Sequence, residues 1–424
     1  SRRRHTRYGT VTGVQTCALP IYVDIIETVQ LELKGFTEPV VVHQVRGLLD
    51  QSANRPVSLP MVGRDAELAL VLDRWQKAAS GMGQAAMISA EPGIGKSKLL
   101  DAVRSSIASS AHTALVGQCS VYEQHSALMP IARGLRRLIF GEKDTSTAGR
   151  ASQLTHWLQA LGLDDEVTLH IIAELLEVDV ARDSPAHGWS PEELRHRTLQ
   201  AVVAALKQLS RNKPLLVAVE DLHWSDPTTL KFLDRLLEEV AEERMLFIGT
   251  CRPEFTPPWG HTRNVTELRL SQLTRDECIR IVNAIASSLS ASLQAQIVDR
   301  ADGTPLFVEE LSRTVAESGA EETEAIPITL RDALTARLDR TGPARLAANA
   351  AAVIGRTFEL KLLASVLGQG VDSLRELLEP LRNSGLVSFR FTSIGEVGEF
   401  KHALVRDAAY QNMLRERRRE LRSE

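Results

Sequence analysis

The sequence predicts an α/β fold built on a parallel sheet, and three stretches carry that prediction. Ala85–Lys98 runs from an apolar segment through a glycine-containing turn into a segment whose apolar residues recur at helical spacing. Pro214–Val219 is an uninterrupted apolar run, the pattern of a strand that is buried on both faces of a parallel sheet. Met245–Gly249 repeats this buried-strand pattern. Strands that alternate with helices in this way indicate α/β architecture.

The turn after the first strand has the pattern of a phosphate-binding loop. Gly93 and Gly95 permit the tight backbone that points N–H groups at phosphate oxygens, and the N-terminus of the following helix adds to this anion site. Lys96 is expected to reach the β- and γ-phosphates, and Ser97 to place its hydroxyl on Mg²⁺. Ala90 stands where the pattern has its first glycine, and the alternative is a helix capped by a glycine-rich turn. The predicted ligands are ATP or ADP with Mg²⁺, held by Ala90, Glu91, Pro92, Gly93, Ile94, Gly95, Lys96, Ser97 and Lys98.

Charged residues follow the two later strands, at the sheet edge where α/β proteins bind ligands. Glu220 is expected to help hold Mg²⁺, and Asp221 to orient the attacking water. The usual first residue is Asp, so the division of roles between the two acids stays open, and acids at a strand end are also common in structural positions. Arg252 is the candidate sensor of the γ-phosphate, with a structural salt bridge as the alternative.

The composition excludes several classes of protein. Hydrophobic residues make up 43% of the chain and charged residues 25%, as in globular proteins. The net charge of −4 gives no overall basic field for nucleic acid or an acidic membrane. The four cysteines form no CxxC pair, which favours a reduced, cytoplasmic protein. No apolar stretch approaches the ~18 residues of a membrane span, so no membrane contact is expected.

The N-terminal 60 residues carry no predicted chemistry. Residues 1–22 lack periodicity, and VTGVQTCALPI resembles translated sequencing-adapter sequence; the alternative is a disordered basic arm. Residues 23–46 contain two runs rich in β-formers around a turn at Gly35–Pro39, which predicts a hairpin. Residues 47–60 have the Pro, Ser and Asn content of a linker.

Four segments together resemble the STAND class of signal-transduction ATPases, which are related to AAA+ proteins: GRDAEL, AEPGIGKS, LLVAVEDLHWSDPTTL and FIGTCRPEF. Their sequences are similar to those of the ATPase module attached to class III nucleotide cyclases, including soluble adenylate cyclase. LELKGFTEPVVVHQV resembles the closing strands of such a cyclase, whose metal-binding aspartates lie upstream, so no cyclase activity is expected here.

The resemblance implies an ordered set of domains. A P-loop ATPase domain would occupy residues 61–265, a helical lid 266–325 and a winged helix 326–408, with helical repeats beginning at 409–424. The chain is then expected to be a fragment at both ends. The residues themselves also favour a winged helix, because three helical patterns after Pro327 precede a hairpin with Gly395 and Gly398 at its tip.

The resemblance also implies three further nucleotide contacts, each with a structural alternative. Val62 would pack near the adenine. It lies just before a helix that Asp65 is predicted to cap. The alternative for this segment is an ordinary amphipathic helix without a nucleotide contact. Pro305, in a Gly-Thr-Pro turn, would pack on the nucleotide base; the alternative is a purely structural turn. His402 would contact the β-phosphate of ADP, or serve as a structural histidine.

We therefore expect a nucleotide-dependent switch that controls an attached effector, a class III cyclase by resemblance. One alternative is a ring-forming motor or chaperone, which would be a homo-oligomer. Another is a winged-helix DNA-binding regulator, but the helix Val371–Arg382 is net acidic, so nucleic acid is an unfavoured partner.

Overall fold

The computed structural model describes residues 23–31, 40–48, 61–120, 124, 126–141, 147–180, 189–259, 265–318, 327, 329–392 and 395–413. The chain divides into two compact units, Ser1–Ser58 and Leu59–Glu424. Several predicted features lie outside the described residues: the segment 1–22, the turn at 35–39, the linker from residue 49 onward and the repeat start after residue 413.

The first unit contains an antiparallel strand pair. Strand β1 (Val23–Leu31) pairs with β2 (Val40–Leu48), as the two runs of β-forming residues predict. The second strand continues to Leu48, so Gly47 and Leu48, predicted as linker, belong to the strand.

The second unit is organised around a five-stranded parallel sheet, which confirms the predicted fold class. The strands lie in the order β4-β5-β6-β3-β7, and every neighbouring pair is parallel. Their bounds are β3 (Gln84–Ser89), β4 (Thr113–Gln118), β5 (Leu215–Glu220), β6 (Met245–Cys251) and β7 (Val265–Arg269). The edge strand β7 extends the sheet four residues beyond the boundary that the sequence predicted at residue 265.

Helices cover both faces of this sheet. Alternate residues of β5 enter different cores: Leu215 and Val217 face one helical layer, and Leu216 faces the other. The two layers are built from α1 (Asp65–Ala79), α2 (Lys96–Ile107), α3 (Met129–Phe140), α4 (Thr147–Ala160), α5 (Glu166–Leu175), α6 (Pro191–Asn212) and α7 (Pro227–Glu239).

Two helix starts test the capping predictions. Asp226 precedes α7, and its Oδ1 accepts hydrogen bonds from the backbone N of Thr228 at 2.8 Å and of Thr229 at 2.9 Å, which confirms the predicted cap. The predicted cap at Asp65 is wrong. Arg64 occupies the N-cap position of α1 without a side-chain cap, and Asp65 is the first helical residue. Arg64 is instead buried, and its guanidinium donates to the Ser271 carbonyl.

Three helices follow the sheet and share a separate core. They are α8 (Arg275–Ile285), α9 (Ala291–Ala301) and α10 (Pro305–Ser318). The core includes the buried side chains of Val282, Ile297 and Leu311. We call α8–α10 the lid, after the domain predicted for this part of the sequence.

The remaining described residues, 329–413, form a third region with its own core. It combines α11 (Leu330–Arg340), α12 (Ala344–Ile354), α13 (Leu360–Val366), α14 (Val371–Asn383) and α15 (Ala403–Gln411) with a small sheet. That sheet is antiparallel in the order β8-β10-β9, from β8 (Thr357–Glu359), β9 (Val387–Thr392) and β10 (Gly395–Phe400). The predicted helices and hairpin are present as α11, α12, α14 and β9–β10, but Gly398, predicted at the hairpin tip, lies within β10 opposite Phe389. The assignment as a winged helix stays a prediction.

None of the helices that the structure describes combines the length and apolar character that crossing a membrane would require.

Candidate functional site

The predicted phosphate-binding loop joins β3 to α2. Gly93 has φ +85° and Gly95 has φ +108°, backbone conformations that glycine adopts without steric cost. A Cβ atom at Gly93 would come within 3.3 Å of side-chain atoms of Thr304 and Leu306, whereas the space beside Gly95 is open. The loop thus lies against the lid on one side and leaves its second glycine uncrowded.

Lys96, the first residue of α2, folds over this loop. Its Nζ donates to the carbonyl oxygen of Ala90 at 2.6 Å and of Glu91 at 3.3 Å. Burial lowers the pKa of the Lys96 ammonium, and the negative charge of Asp221 opposes that shift. A partly buried ammonium whose hydrogen bonds to described residues go to carbonyl oxygens would be stabilised by an anionic ligand.

Ser97 contacts Glu220 across the sheet edge. The Ser97 hydroxyl donates a hydrogen bond to Glu220 Oε2, although the two residues are 123 positions apart in sequence. Burial raises the pKa of the Glu220 carboxyl, and the Ser97 hydrogen bond acts in the opposite direction. One hydroxyl and one carboxylate are hard oxygen donors, and Mg²⁺ in phosphate sites uses few protein ligands beside phosphate oxygens and water, so this pair fits the ion.

Asp221 follows β5 in a left-handed conformation, with φ +58°. Its backbone N donates to Thr250 Oγ1 at 3.0 Å, and its Oδ2 accepts from Gln118 Nε2 at 3.0 Å. Asp tolerates this conformation better than most residues, and the strands on either side fix it here. Gln118 and Thr250 were not predicted as site residues from the sequence. Both residues lie at the carboxyl ends of strands that neighbour β5, and this position is the feature that could have identified them.

Arg252 directly follows β6 and lies near the same loop. Its guanidinium is 5.4 Å from the centre of the Trp224 ring and 3.9 Å, from Nη1 to Oε1, from Glu254. Burial is the largest cause of the lowered pKa of Lys96, and the positive charge of Arg252 lowers that pKa further, whereas the negative charge of Asp221 raises it. The arginine therefore has an ion-pair partner and also lies within electrostatic range of the loop lysine.

The lid is hydrogen-bonded to the loop. The backbone N of Leu306 donates to the Gly93 carbonyl at 3.2 Å, which places Pro305 and the start of α10 beside the loop. The turn before α10 has left-handed residues at Asp302 (φ 44°) and Gly303 (φ 68°). Val62 is partly buried and packs against the lid core. The structure brings Pro305 to the loop, while the described contacts of Val62 are with the lid.

His402 lies between β10 and α15, and its Nε2 is buried without a hydrogen-bond partner among the described residues. Burial lowers the pKa of His402 to about 4, and the positive charges of Lys401 and Lys98 contribute. Lys401 Nζ is 2.6 Å from Glu309 Oε1 on the lid helix α10. The third region therefore reaches the lid and the P-loop helix α2 through these charged side chains.

Comparison with known proteins agrees with this geometry. Residues 60–248 match the family model described as AAA ATPase domain. This match supports a P-loop ATPase module in that part of the chain.

Two proteins are similar over most of the chain. An uncharacterized protein of Rhizobium meliloti (strain 1021) is 28% identical over 413 residues, which cover 92% of this chain and 39% of that protein. The crystal structure of a STAND protein with a tetratricopeptide repeat sensor from Pyrococcus horikoshii aligns with a TM-score of 0.50 and 13% identity, over 86% of this chain and 45% of that one. The second similarity is one of fold. The chain spans less than half the length of each of these proteins.

Proposed function

We propose that this chain is a nucleotide-controlled switch that binds ATP or ADP with Mg²⁺ and slowly hydrolyses ATP. The observation that carries the proposal is the hydrogen bond from Ser97 to Glu220, which joins the phosphate-binding loop to the acidic strand end. The lid is bonded to the same loop through Leu306 and Gly93. A nucleotide bound at the loop would thus alter contacts between modules, which is how switch ATPases transmit their state.

Each side chain of the site has a proposed part in this function. Lys96 would exchange the Ala90 and Glu91 carbonyls for β- and γ-phosphate oxygens. Ser97 and Glu220 would hold Mg²⁺, which neutralises charge on the phosphates. Asp221, fixed by Gln118 and Thr250, would orient the attacking water. Arg252 would sense the γ-phosphate, while Val62 and Pro305 would contact the base and His402 the β-phosphate.

The effector that we propose is a class III nucleotide cyclase, located in the cytoplasm and linked to this module in a longer protein with helical repeats. The support is the resemblance of the sequence LELKGFTEPVVVHQV to the closing strands of such a cyclase. The enzyme activity proposed for the chain itself is ATP hydrolysis alone.

The alternative of DNA binding by the third region is not favoured by its charges. Helix α14 carries Arg375 and Arg382, which would have to approach DNA phosphates. Arg375 Nη1 is 2.8 Å from Asp372 and its Nη2 is 2.8 Å from Glu396, while Arg382 Nη1 is 3.0 Å from Glu379. Both arginines are therefore already paired with carboxylates.

Nucleotide binding by the Lys96→Ala variant tests the proposal. We expect the affinity for Mg·ATP to fall by about 10- to 100-fold, because a hydrogen-bonded charge pair is lost. Lys231→Ala is the matched control, since Lys231 is exposed on α7 and should leave the affinity unchanged. Titration calorimetry on both variants measures this, with circular dichroism to check folding. Equal affinities for the Lys96→Ala variant and the parent would show that the assignment is wrong.

A further inference from the structure

His223 lies in the short turn that follows the acidic end of β5, beside Asp221. Residues Leu222–Trp224 form a single 3₁₀ turn, which the backbone N of Trp224 closes by donating to the Asp221 carbonyl at 2.9 Å. The Nδ1 and Nε2 atoms of His223 are both buried, and neither has a hydrogen-bond partner among the described residues. A buried polar atom without a partner costs free energy, so a ring with two such atoms indicates a binding partner that the described side chains do not supply.

The two residues before His223 fasten this turn to the neighbouring strand β6. Leu222 is fully buried, and a Cβ atom added at Gly249 of β6 would come within 2.6 Å of its side chain, so Leu222 packs directly on the β6 backbone. The backbone N of Asp221 donates to Thr250 Oγ1 at 3.0 Å, also on β6. The backbone of His223 therefore has a fixed position next to Asp221.

Ring contacts place the His223 side chain at the same sheet edge. The centre of its ring is 4.9 Å from the centre of the Trp224 ring, and the Arg252 guanidinium lies 5.4 Å from that same Trp224 ring. Arg252 directly follows β6, the strand that lies between β5 and the P-loop strand β3. The His223 ring thus belongs to the group of side chains at the carboxyl ends of these strands, together with Asp221 and Arg252.

The His223 ring is neutral near pH 7 and can therefore accept a hydrogen bond. Burial lowers its pKa, and the positive charges of Arg252 and Lys96 lower it further, while the negative charges of Asp221 and Glu254 act in the opposite direction. A neutral imidazole has one N–H donor and one nitrogen that accepts. This nitrogen and the Asp221 carboxylate together offer two acceptors, which match the two O–H groups of one water molecule.

We propose that His223 orients the water that attacks ATP, by accepting one hydrogen bond from it while Asp221 accepts the other. This inference rests on the proposed function. With both O–H groups held, a lone pair of the water oxygen faces the γ-phosphorus. The water oxygen bonds to that phosphorus, and the bond from the phosphorus to the ADP oxygen breaks, with its electron pair left on ADP. The proton that the water loses passes to a phosphate oxygen, so His223 stays neutral and transfers no proton.

The His223→Phe variant of the full chain tests the inference, because phenylalanine keeps an aromatic ring beside Trp224 and removes both nitrogens. We expect phosphate release at saturating Mg·ATP to slow at least about tenfold, while the dissociation constant of Mg·ATP from calorimetry stays within about twofold, since the water is needed for the reaction and not for binding. Ser225→Ala is the matched control. Ser225 follows the same turn and its Oγ lies 3.0 Å from Cys119 Sγ, so this variant loses a nearby hydrogen bond and should keep the parental rate.

The His223→Asn and His223→Gln variants separate water orientation from a structural role. Their amide oxygens can accept a hydrogen bond near the positions of Nδ1 and Nε2, so we expect one of them to stay within about threefold of the parental rate. A parental rate in His223→Phe, a loss of affinity that parallels the loss of rate, or no recovery in either amide variant would overturn the inference. A parent chain that binds no nucleotide or releases no phosphate would instead overturn the proposed function. Should His223→Phe not fold, as judged by circular dichroism, His223→Leu takes its place with the same expected result.

Discussion

The His402 ring stays neutral in the folded protein at pH values where a histidine in an unfolded chain is charged. Its pKa in the structure is about 4, against an ordinary 6.5, because burial disfavours the imidazolium and neighbouring cations add to that effect. Between these values the unfolded chain binds a proton that the folded chain does not. The neutral ring therefore contributes stability above pH 6.5, which is lost as the pH falls toward 4.

This imbalance predicts an acid-sensitive stability. The free energy of unfolding should fall by up to about 3 kcal/mol between pH 6.5 and pH 4 through this residue alone. Urea unfolding at several pH values should therefore show a shallower decline for His402→Asn than for the parent. His156→Asn is the control, because that ring is already exposed, and it should follow the parental curve. Parallel curves for the parent and the His402→Asn variant would contradict the prediction.

Single residues differ in how far the sequence alone could identify them. Lys96, Ser97 and Glu220 were predicted because the loop has a short motif and the acids follow a buried strand, and the structure brings Ser97 and Glu220 into contact. Gln118 has no such local pattern. It reaches Asp221 only because β4 lies beside β5.

At the scale of secondary-structure elements, a buried ion pair joins the lid to the third region. Arg337 of α11 donates to Glu310 of α10 and to the Ser384 carbonyl, and both ion-pair side chains are 2% exposed. Taking both charges out of water costs free energy that only their mutual attraction and hydrogen bonds recover. The pair therefore tolerates little separation, and we infer that α10 and α11 move together.

The contribution of this ion pair can be measured with two substitutions on one helix. Glu310→Gln should lower the free energy of unfolding by about 3 kcal/mol or more, since it leaves the Arg337 charge buried without its carboxylate. Glu317→Gln is the matched control: Glu317 pairs with the same arginine at 3.6 Å but is 41% exposed, so the loss should be about 0–1 kcal/mol. Urea unfolding of both variants measures the difference. Similar losses for the two would show that burial does not set the cost.

The elements themselves were predictable where their burial is uniform. Strands β5 and β6 are buried along nearly their whole length, so each appears in the sequence as a continuous apolar run. The edge strand β7 has only one buried residue, and β8 is three residues long. Neither strand therefore shows a hydrophobic pattern that would predict it from the sequence. The cap at Asp226 was predictable because Pro227 follows it. At the start of α1 the sequence offered only apolar residues at helical spacing, and the cap was wrongly predicted at Asp65.

At the scale of the whole molecule, residues from every part of the second unit converge on one sheet edge. The loop residue Gly93 contacts the lid, Ser97 contacts Glu220, and Lys401 joins the lid to the third region. Arg252, which follows β6, lies within electrostatic range of the loop lysine Lys96. An arginine that stabilises phosphate charge is supplied in trans in some ATP- and GTP-hydrolysing proteins, and we propose that Arg252 supplies it here in cis.

The proposed site draws all of its residues from one chain, and this proposal predicts ATP turnover that does not depend on assembly. The rate of phosphate release per chain should be slow and constant when the protein concentration is varied over about a hundredfold, because no neighbouring subunit has to supply an arginine. A ring motor would instead show a rate per chain that rises with concentration as subunits associate. Phosphate release at saturating Mg·ATP, combined with light scattering at the same concentrations, measures both quantities. The Arg252→Gln variant sharpens the comparison: a rate that recovers when parent chains are added would indicate a cation supplied in trans, and a rate that does not recover supports the switch.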